Sequence, residues 1–206
     1  MKVLNLYAGI GGNRKLWDDV EVTAVELEPE IAKVYQGFFP QDKMIVGDAH
    51  DFLLCYFEEF DFIWSSPPCQ SHSSFRFNIG VRYGKVTPEY PDMRLYQEII
   101  FLKEHFKGLW IVENVKPYYE PLIKAKEIQR HLFWSNFPIS NYPFKEDVIR
   151  ENQIPDLEEL TGFNLSEILI SNKRQILRNC VKPELGKHVL DCARRLKQSS
   201  LPGEKE

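Results

Sequence analysis

The chain is predicted to fold as an α/β domain with a mainly parallel sheet and helices on both faces. Three observations predict it. Strand-like and helix-like segments alternate, the strand-like runs are short, apolar and closed by a polar or glycine residue, and 206 residues suffice for one compact domain with a real core. Sheets of this kind bind ligands at the carboxyl ends of their strands, so the residues that close the apolar runs should gather into one pocket.

In order, "KVLNLY" reads as a buried strand and "GGNRKLWDD" as a turn entering a helix. "EVTAVE" is a second strand and "PEIAKVYQGFF" a second helix. "KMIVGD", "DFIWSS" and "LWIVEN" repeat the apolar run with its polar ending, with helical segments over 49–58 and 91–107 between them. Beyond residue 140, Pro, Asn and charges mix in "NYPFKEDVIRENQIPDLEELTGFNLSEILISNKRQ", which reads as loop with one short helix. "PELGKHVLDCARRLK", residues 183–197, is a helix with proline at its start and an apolar stripe through Leu185, Val189, Cys192 and Leu196. "QSSLPGEKE" reads as a frayed end.

Hydrophobic residues at 43% and charged residues at 27% fit a folded globular chain and not a disordered one. No apolar stretch is long enough to cross a bilayer and the first residues carry no leader pattern, so a cytoplasmic location is expected. Cys55, Cys69, Cys180 and Cys192 form no CxxC pair, which points to reduced thiols. A zinc grouping of Cys69, His72, His188 and Cys192 matches no common spacing, and no metal is expected. The net charge of -4 argues against coating nucleic acid by bulk charge. Yet residues 71–87 carry Arg76, Arg82 and Lys85 without an acid, and Lys173, Arg174, Arg178, Lys182, Lys187, Arg194 and Arg195 crowd the tail. Two basic stretches in an acidic chain imply a focused anionic partner.

"YAGIGG" after the first strand places glycines where the backbone must turn tightly and leave room for a ligand, although a purely structural turn would use similar residues. Glu26, closing the second strand, can accept both hydroxyls of a ribose, and Asp48 after "MIVG" suits an adenine amino group. An adenosine-type ligand follows. Most free cysteines are small buried hydrophobes, and Cys55, Cys180 and Cys192 fit that description. Cys69 does not, because it follows the rigid Pro67-Pro68 at a strand end and precedes a polar segment. Glu113, an acid after five apolar residues, is hard to explain by packing.

In order and approximate spacing, "LNLYAGIGG", "AVELEPE", "VGD", "SSPPCQS" and "VENV" match the motifs of the DNA (cytosine-5)-methyltransferases, and "RNCVKPELGKHVL" is similar to that family's last motif. The chain resembles that family over residues 1–140, as a compact, phage- or prophage-like member. The resemblance implies a Rossmann-like S-adenosylmethionine-dependent methyltransferase fold with a small irregular target-recognition insert. It divides the chain into a catalytic core over 1–140, a reduced recognition segment over 141–172 and a C-terminal segment over 173–206 that completes the core.

Carried over by motif, Cys69 is the nucleophile, Glu113 the acid that binds the cytosine edge and Asn114 its supporting neighbour. Tyr7 lies against the cofactor adenine, with Ala8, Gly9, Gly11 and Gly12 in the turn. Glu26 serves the ribose, Leu27 packs on adenine, Asp48 and Ala49 meet its edge, and Pro68, Asn179 and Val181 close the pocket. The implied cofactor is S-adenosyl-L-methionine. The family's Gln-x-Arg-x-Arg motif is incomplete in "IQRHLFWSNF", where Arg130 is the candidate match. The implied partner is double-stranded DNA, contacted by Ser71, His72, Arg76, Arg82, Lys85, Lys173 and Arg174. The segment 71–87 would be a mobile loop closing over a flipped base.

The implied chemistry is addition of a Cys69 thiolate to carbon 6 of cytosine, which makes carbon 5 nucleophilic toward a sulfonium methyl. Two alternatives stay open on the residues: a tRNA cytosine-5 methyltransferase, and a catalytically silent or partner-dependent DNA-binding subunit. The short recognition region leads us to expect a helper subunit or a dimer.

Overall fold

The computed structural model describes residues 1–141 and 153–199. Five parallel strands, β1 (Lys2–Leu6), β2 (Glu21–Glu26), β3 (Lys43–Val46), β4 (Phe62–Ser65) and β5 (Leu109–Val115), form most of one sheet. β6 (Lys126–Ile128) and β7 (His131–Ser135) complete it, with β7 antiparallel to both β5 and β6. The seven strands lie in the order β3-β2-β1-β4-β5-β7-β6. The order reverses direction between β1 and β4, the switch point at which open α/β sheets bind ligands.

Side chains on successive strand residues point to opposite faces, and this period-two alternation builds two cores. Val3, Phe62 and Trp64 pack on one face with Trp17, Tyr35 of α1 (Pro29–Phe38) and Leu185, Val189 and Leu190 of α7 (Pro183–Ser199). Leu4, Leu6 and Ile63 pack on the other with Leu53 of α2 (Ala49–Tyr56) and Leu95, Ile99 and Leu102 of α4 (Arg94–His105). Each fully buried large side chain contributes about 1.5–3 kcal/mol relative to exposure. The predicted strands and the Rossmann-like arrangement are present, with helices on both faces of the sheet.

The helix expected in "GGNRKLWDD" is absent, and residues 11–19 run through turns. Side chains replace the helical hydrogen bonds. Arg14 pairs with Asp42 at 2.8 Å and donates to Trp17 O at 2.8 Å, while the Trp17 indole donates to Gly186 O on α7 at 3.0 Å. α7 approaches so closely that a methyl group on Gly186 would lie 2.2 Å from Asn13 O.

α5 (Ile154–Thr161) and α6 (Lys173–Asn179) give the late segment more order than its composition suggested. Leu157, Phe163, Leu165 and Leu177 are buried in a third cluster with Ile10 and Val34, so residues 153–172 pack onto the core beside α1. The rest of the expected recognition segment, residues 142–152, lies outside the described residues, as does the expected frayed end beyond residue 199. Among the described residues no helix is long and apolar enough to cross a membrane.

Candidate active site

The first side of the site is the turn after β1. Tyr7, Gly9 and Gly11 all have positive φ, at 55°, 55° and 88°. Glycine adopts this region freely, whereas a tyrosine there is strained by about 1–3 kcal/mol and must be held. The holder is Glu98 of α4, fully buried, which accepts from Tyr7 Oη at 2.5 Å and from Ser65 Oγ at 2.5 Å, with His50 Nδ1 at 3.0 Å. Burial, followed by the Glu98 charge, pushes the Tyr7 hydroxyl far up, so it stays a donor.

Glu26 accepts from the Gly9 N–H at 2.8 Å and from the Glu28 N–H at 3.1 Å, which fixes its carboxylate at the rim. Asp48 caps α2 through the His50 N–H at 2.8 Å, and its second oxygen lies 3.3 Å from Arg94. Leu27 is 59% exposed beside them, and a side chain on Gly9 would meet open space. Two carboxylates able to accept from hydroxyl and amino groups, an exposed apolar side chain and an open glycine backbone fit an adenosine. Ala8, Ala49 and Val181 are buried, so a ligand meets them only through backbone atoms. Pro68 is exposed beside Cys69. Cys180 and Val181 do reach the turn: a methyl group on Gly12 would sit 2.6 Å from Val181 O and 2.7 Å from Cys180 Cβ. Asn179 is exposed next to them and accepts from Gln175 at 2.6 Å.

The second side is the turn after β4. Cys69 O accepts from His72 N at 3.1 Å and from Ser73 N at 3.0 Å, forming a tight turn. Buried Asn114 donates to Pro67 O at 2.9 Å and thereby fixes the prolines. Burial, reinforced by the nearby Glu113 charge and opposed by Arg130, pushes the Cys69 thiol up to about 11. Glu113 is buried at the end of β5. Burial raises its carboxyl, but the adjacent His131, a Ser66 hydrogen bond and the Arg130 charge outweigh that and leave it below the usual carboxylate range.

Sequence reasoning missed two members of this site. His131 Nδ1 lies 2.5 Å from Glu113 Oε1, and both side chains are almost wholly buried. Phe133 faces Glu113 across the ladder, so His131, two residues away, shares its face. Arg130, the expected motif match, instead directs Nη2 to Arg178 O at 3.0 Å and Cys180 O at 3.4 Å, anchoring the segment that lies against the β1 turn while its charge reaches Cys69 and Glu113. Glu98 was the second omission. Its signal was an acid on the buried face defined by Leu95, Ile99 and Leu102.

Of the residues expected on nucleic acid, His72 is misassigned. It is fully buried, with Nδ1 2.6 Å from Tyr119 Oη and Nε2 3.0 Å from Asp92 O, so it ties the loop base to the scaffold. Ser71 has a similar task, accepting from Asp92 N at 2.9 Å. Arg76, on the short α3 (Ser74–Arg76), pairs with Glu89 at 2.7 Å, and a π-helical turn over Phe77–Val81 follows. Phe77 stacks on Tyr118 with ring centroids 4.5 Å apart. Arg82 and Lys85 are exposed at the loop tip. Arg178 lies over the Phe75 ring at 5.5 Å, which brings α6, with Lys173 and exposed Arg174, against this loop. Lys187 and Arg194 instead pair with Asp18, and Lys197 with Asp61, at the amino ends of the strands.

Among solved structures, the chain is similar to a DNMT2 mutant from Spodoptera frugiperda, with 25% identity, 56% of this chain and 35% of that chain covered, and a TM-score of 0.39. It is also similar to the methyltransferase EhMeth of Entamoeba histolytica, with 15% identity, 72% and 58% coverage and a TM-score of 0.45. A TehB-like SAM-dependent methyltransferase from Corynebacterium glutamicum matches at 16% identity, 59% and 58% coverage and a TM-score of 0.37. The chain thus spans about a third of the DNMT2 chain it matches. No curated protein matches it. The sequence pattern of one family, described as C-5 cytosine-specific DNA methylase, matches residues 1–121, which include β1, the Cys69 turn and β5 with Glu113. With well over half of its residues in that match, the chain belongs to the C-5 cytosine-specific DNA methylases.

Proposed function

We propose that this chain transfers a methyl group from S-adenosyl-L-methionine to carbon 5 of a flipped-out cytosine in double-stranded DNA, in the cytoplasm, through a covalent Cys69 adduct at carbon 6. The observation that carries the reading is that Cys69, in the turn after β4, and Glu113, on β5, stand at the same ends of neighbouring parallel strands. They stand beside the β1 turn at the switch point of the sheet.

Bound S-adenosyl-L-methionine supplies an electrophilic sulfonium methyl, and Glu26, Asp48, Leu27 and the 8–12 backbone would hold it. Cys69 and Glu113 begin as thiol and carboxylate. Addition breaks the S–H bond and forms a sulfur–carbon bond at carbon 6. The released proton passes to the Glu113 side and on to N3, leaving carbon 5 electron-rich. After methyl transfer, which leaves S-adenosylhomocysteine, carbon 5 gives its proton to solvent water, the sulfur–carbon bond breaks and the N3 proton returns to the sulfur, which restores the Cys69 thiol. Asn114 keeps the thiol in place throughout by holding Pro67 O.

Exposed Arg82 and Lys85 with α6 would meet phosphates, and residues 141–172 would contribute what target recognition the chain has, completed by a helper subunit or a second copy. The test is trapping on duplex DNA carrying 5-fluorocytosine with S-adenosyl-L-methionine. A denaturation-resistant adduct at Cys69 is expected, and attachment elsewhere overturns the mechanism. Labelled methyl transfer to tRNA but not duplex DNA would overturn the substrate.

A further inference from the structure

The Asp48 carboxylate has one place left for a ligand, and Arg94 stands beside it. Oδ1 accepts from the His50 N–H at 2.8 Å and the Asp51 N–H at 3.3 Å, so capping α2 uses both lone pairs of that oxygen. Oδ2 accepts from Arg94 Nη1 at 3.3 Å and keeps one lone pair. The pair is open to an incoming group, with the Arg94 and Asp48 side chains 50% and 34% exposed. Among the described residues Asp48 is the only partner of this guanidinium, so most of its N–H donors remain available. The Arg94 backbone is fixed where α4 begins: its N–H donates to Asp92 Oδ1 at 3.0 Å, and Asp92 is held in turn by Ser71 at 2.9 Å and His72 at 3.0 Å. His50, the other cationic side chain near Asp48, is turned to Glu98 instead.

Adenine carries a donor, its 6-amino group, next to an acceptor, its N1. A carboxylate oxygen beside a guanidinium presents the complementary pair, an acceptor next to donors. Building on the reading of this pocket as the S-adenosyl-L-methionine site, we infer that Arg94 is a cofactor-binding residue: while Asp48 Oδ2 accepts from the adenine amino group, the Arg94 guanidinium donates to adenine N1. The base is thereby read at two points, and the helix that follows the 71–92 loop supplies one of them. Hypoxanthine, with an oxo group and an N–H at those positions, meets both residues with the wrong polarity, so the pair selects adenine.

Calorimetric titration of the wild type and of Arg94→Ala decides it, with S-adenosylhomocysteine and its 1-deaza analogue, in which a C–H replaces N1, as the two probes. The wild type should bind the analogue about tenfold or more weakly than S-adenosylhomocysteine, the loss expected when a charged donor is left without its acceptor. Arg94→Ala should bind S-adenosylhomocysteine about tenfold or more weakly than the wild type does. It should also bind the two probes within about twofold of each other, because the group that tells them apart is gone. A residue that merely held Asp48 in place would weaken both probes alike and leave their ratio unchanged. That result overturns the proposal and assigns N1 to a backbone donor such as the Ala49 N–H. Equal affinity of the two proteins for S-adenosylhomocysteine overturns it as well. A wild type that binds neither probe removes the cofactor reading itself, and this assignment falls with it.

Discussion

The Tyr7 hydroxyl donates to Glu98 Oε1 across 2.5 Å, tying the residue after β1 to the middle of α4. The same carboxylate receives Ser65, the last residue of β4, and faces His50 on α2, whose ring is pushed up chiefly by the Glu98 hydrogen bond. One buried acid therefore fixes both turns that flank the switch point and keeps Tyr7 in its left-handed conformation.

Glu98→Gln places an amide donor among those donors. We expect a loss of about 1–3 kcal/mol in stability. At about 2–4 °C per kcal/mol for a chain of this size, the shift in Tm is readable by thermal unfolding. S-adenosyl-L-methionine should also bind more weakly, by calorimetry. Unchanged Tm and affinity together would show that Glu98 does not fix these turns.

Alkylation separates the cysteines. With its thiol pushed up to about 11, Cys69 has about one thiolate in a thousand at pH 8. Exposed Cys55 should therefore react first with iodoacetamide, and Cys69 should catch up as pH rises. Cys69→Ser should keep cofactor binding but lose the 5-fluorocytosine adduct. Peptide mapping that finds Cys69 alkylated first would contradict the thiol ground state.

Gly12→Ala would drive a methyl group into Val181 O and Cys180 Cβ. Backbone cannot yield as a flexible side chain can, so a cost of about 1–3 kcal/mol is expected. Cofactor affinity should fall with it, because the closing segment is displaced. Normal affinity in a calorimetric titration would separate residues 179–181 from the pocket.

DNA affinity should fall with salt, and Arg82→Ala and Lys85→Ala should each lower the salt slope by about 0.9. Lys187→Ala and Arg194→Ala should leave the slope unchanged, because those cations pair with Asp18 at the amino ends of the strands, away from the Cys69 turn. The reverse pattern in fluorescence anisotropy would move the binding face.

Acid should destabilise the fold. The Lys2 backbone N–H, then Lys197, hold the Asp61 carboxyl below its usual range, and Glu113 is lowered as well. A carboxyl lowered on folding stabilises the protein fully above its unfolded pKa, and the gain disappears as pH falls through the folded value. Chemical denaturation should therefore show stability declining below the ordinary carboxylate range, less steeply in Asp61→Asn. An equal slope in both proteins would remove Asp61 from that account.

The sequence by itself determined the five parallel strands, because each apolar run fits a strand buried on both faces. It also determined the catalytic candidates, because Cys69 after two prolines and Glu113 after an apolar run resist any packing explanation. Only the tertiary structure decided which residues hold them. The turns over 11–19 replaced a predicted helix because Arg14 and Trp17 found partners in Asp42 and Gly186, both distant in sequence. His72 turned from a DNA candidate into a buried anchor because Tyr119 and Asp92 close over it. His131 and Glu98 became visible when strand register and helix packing brought them to Glu113 and Tyr7. Local pattern records what a segment buries, but the partner of a buried polar group is chosen by long-range contact, and no local pattern names it.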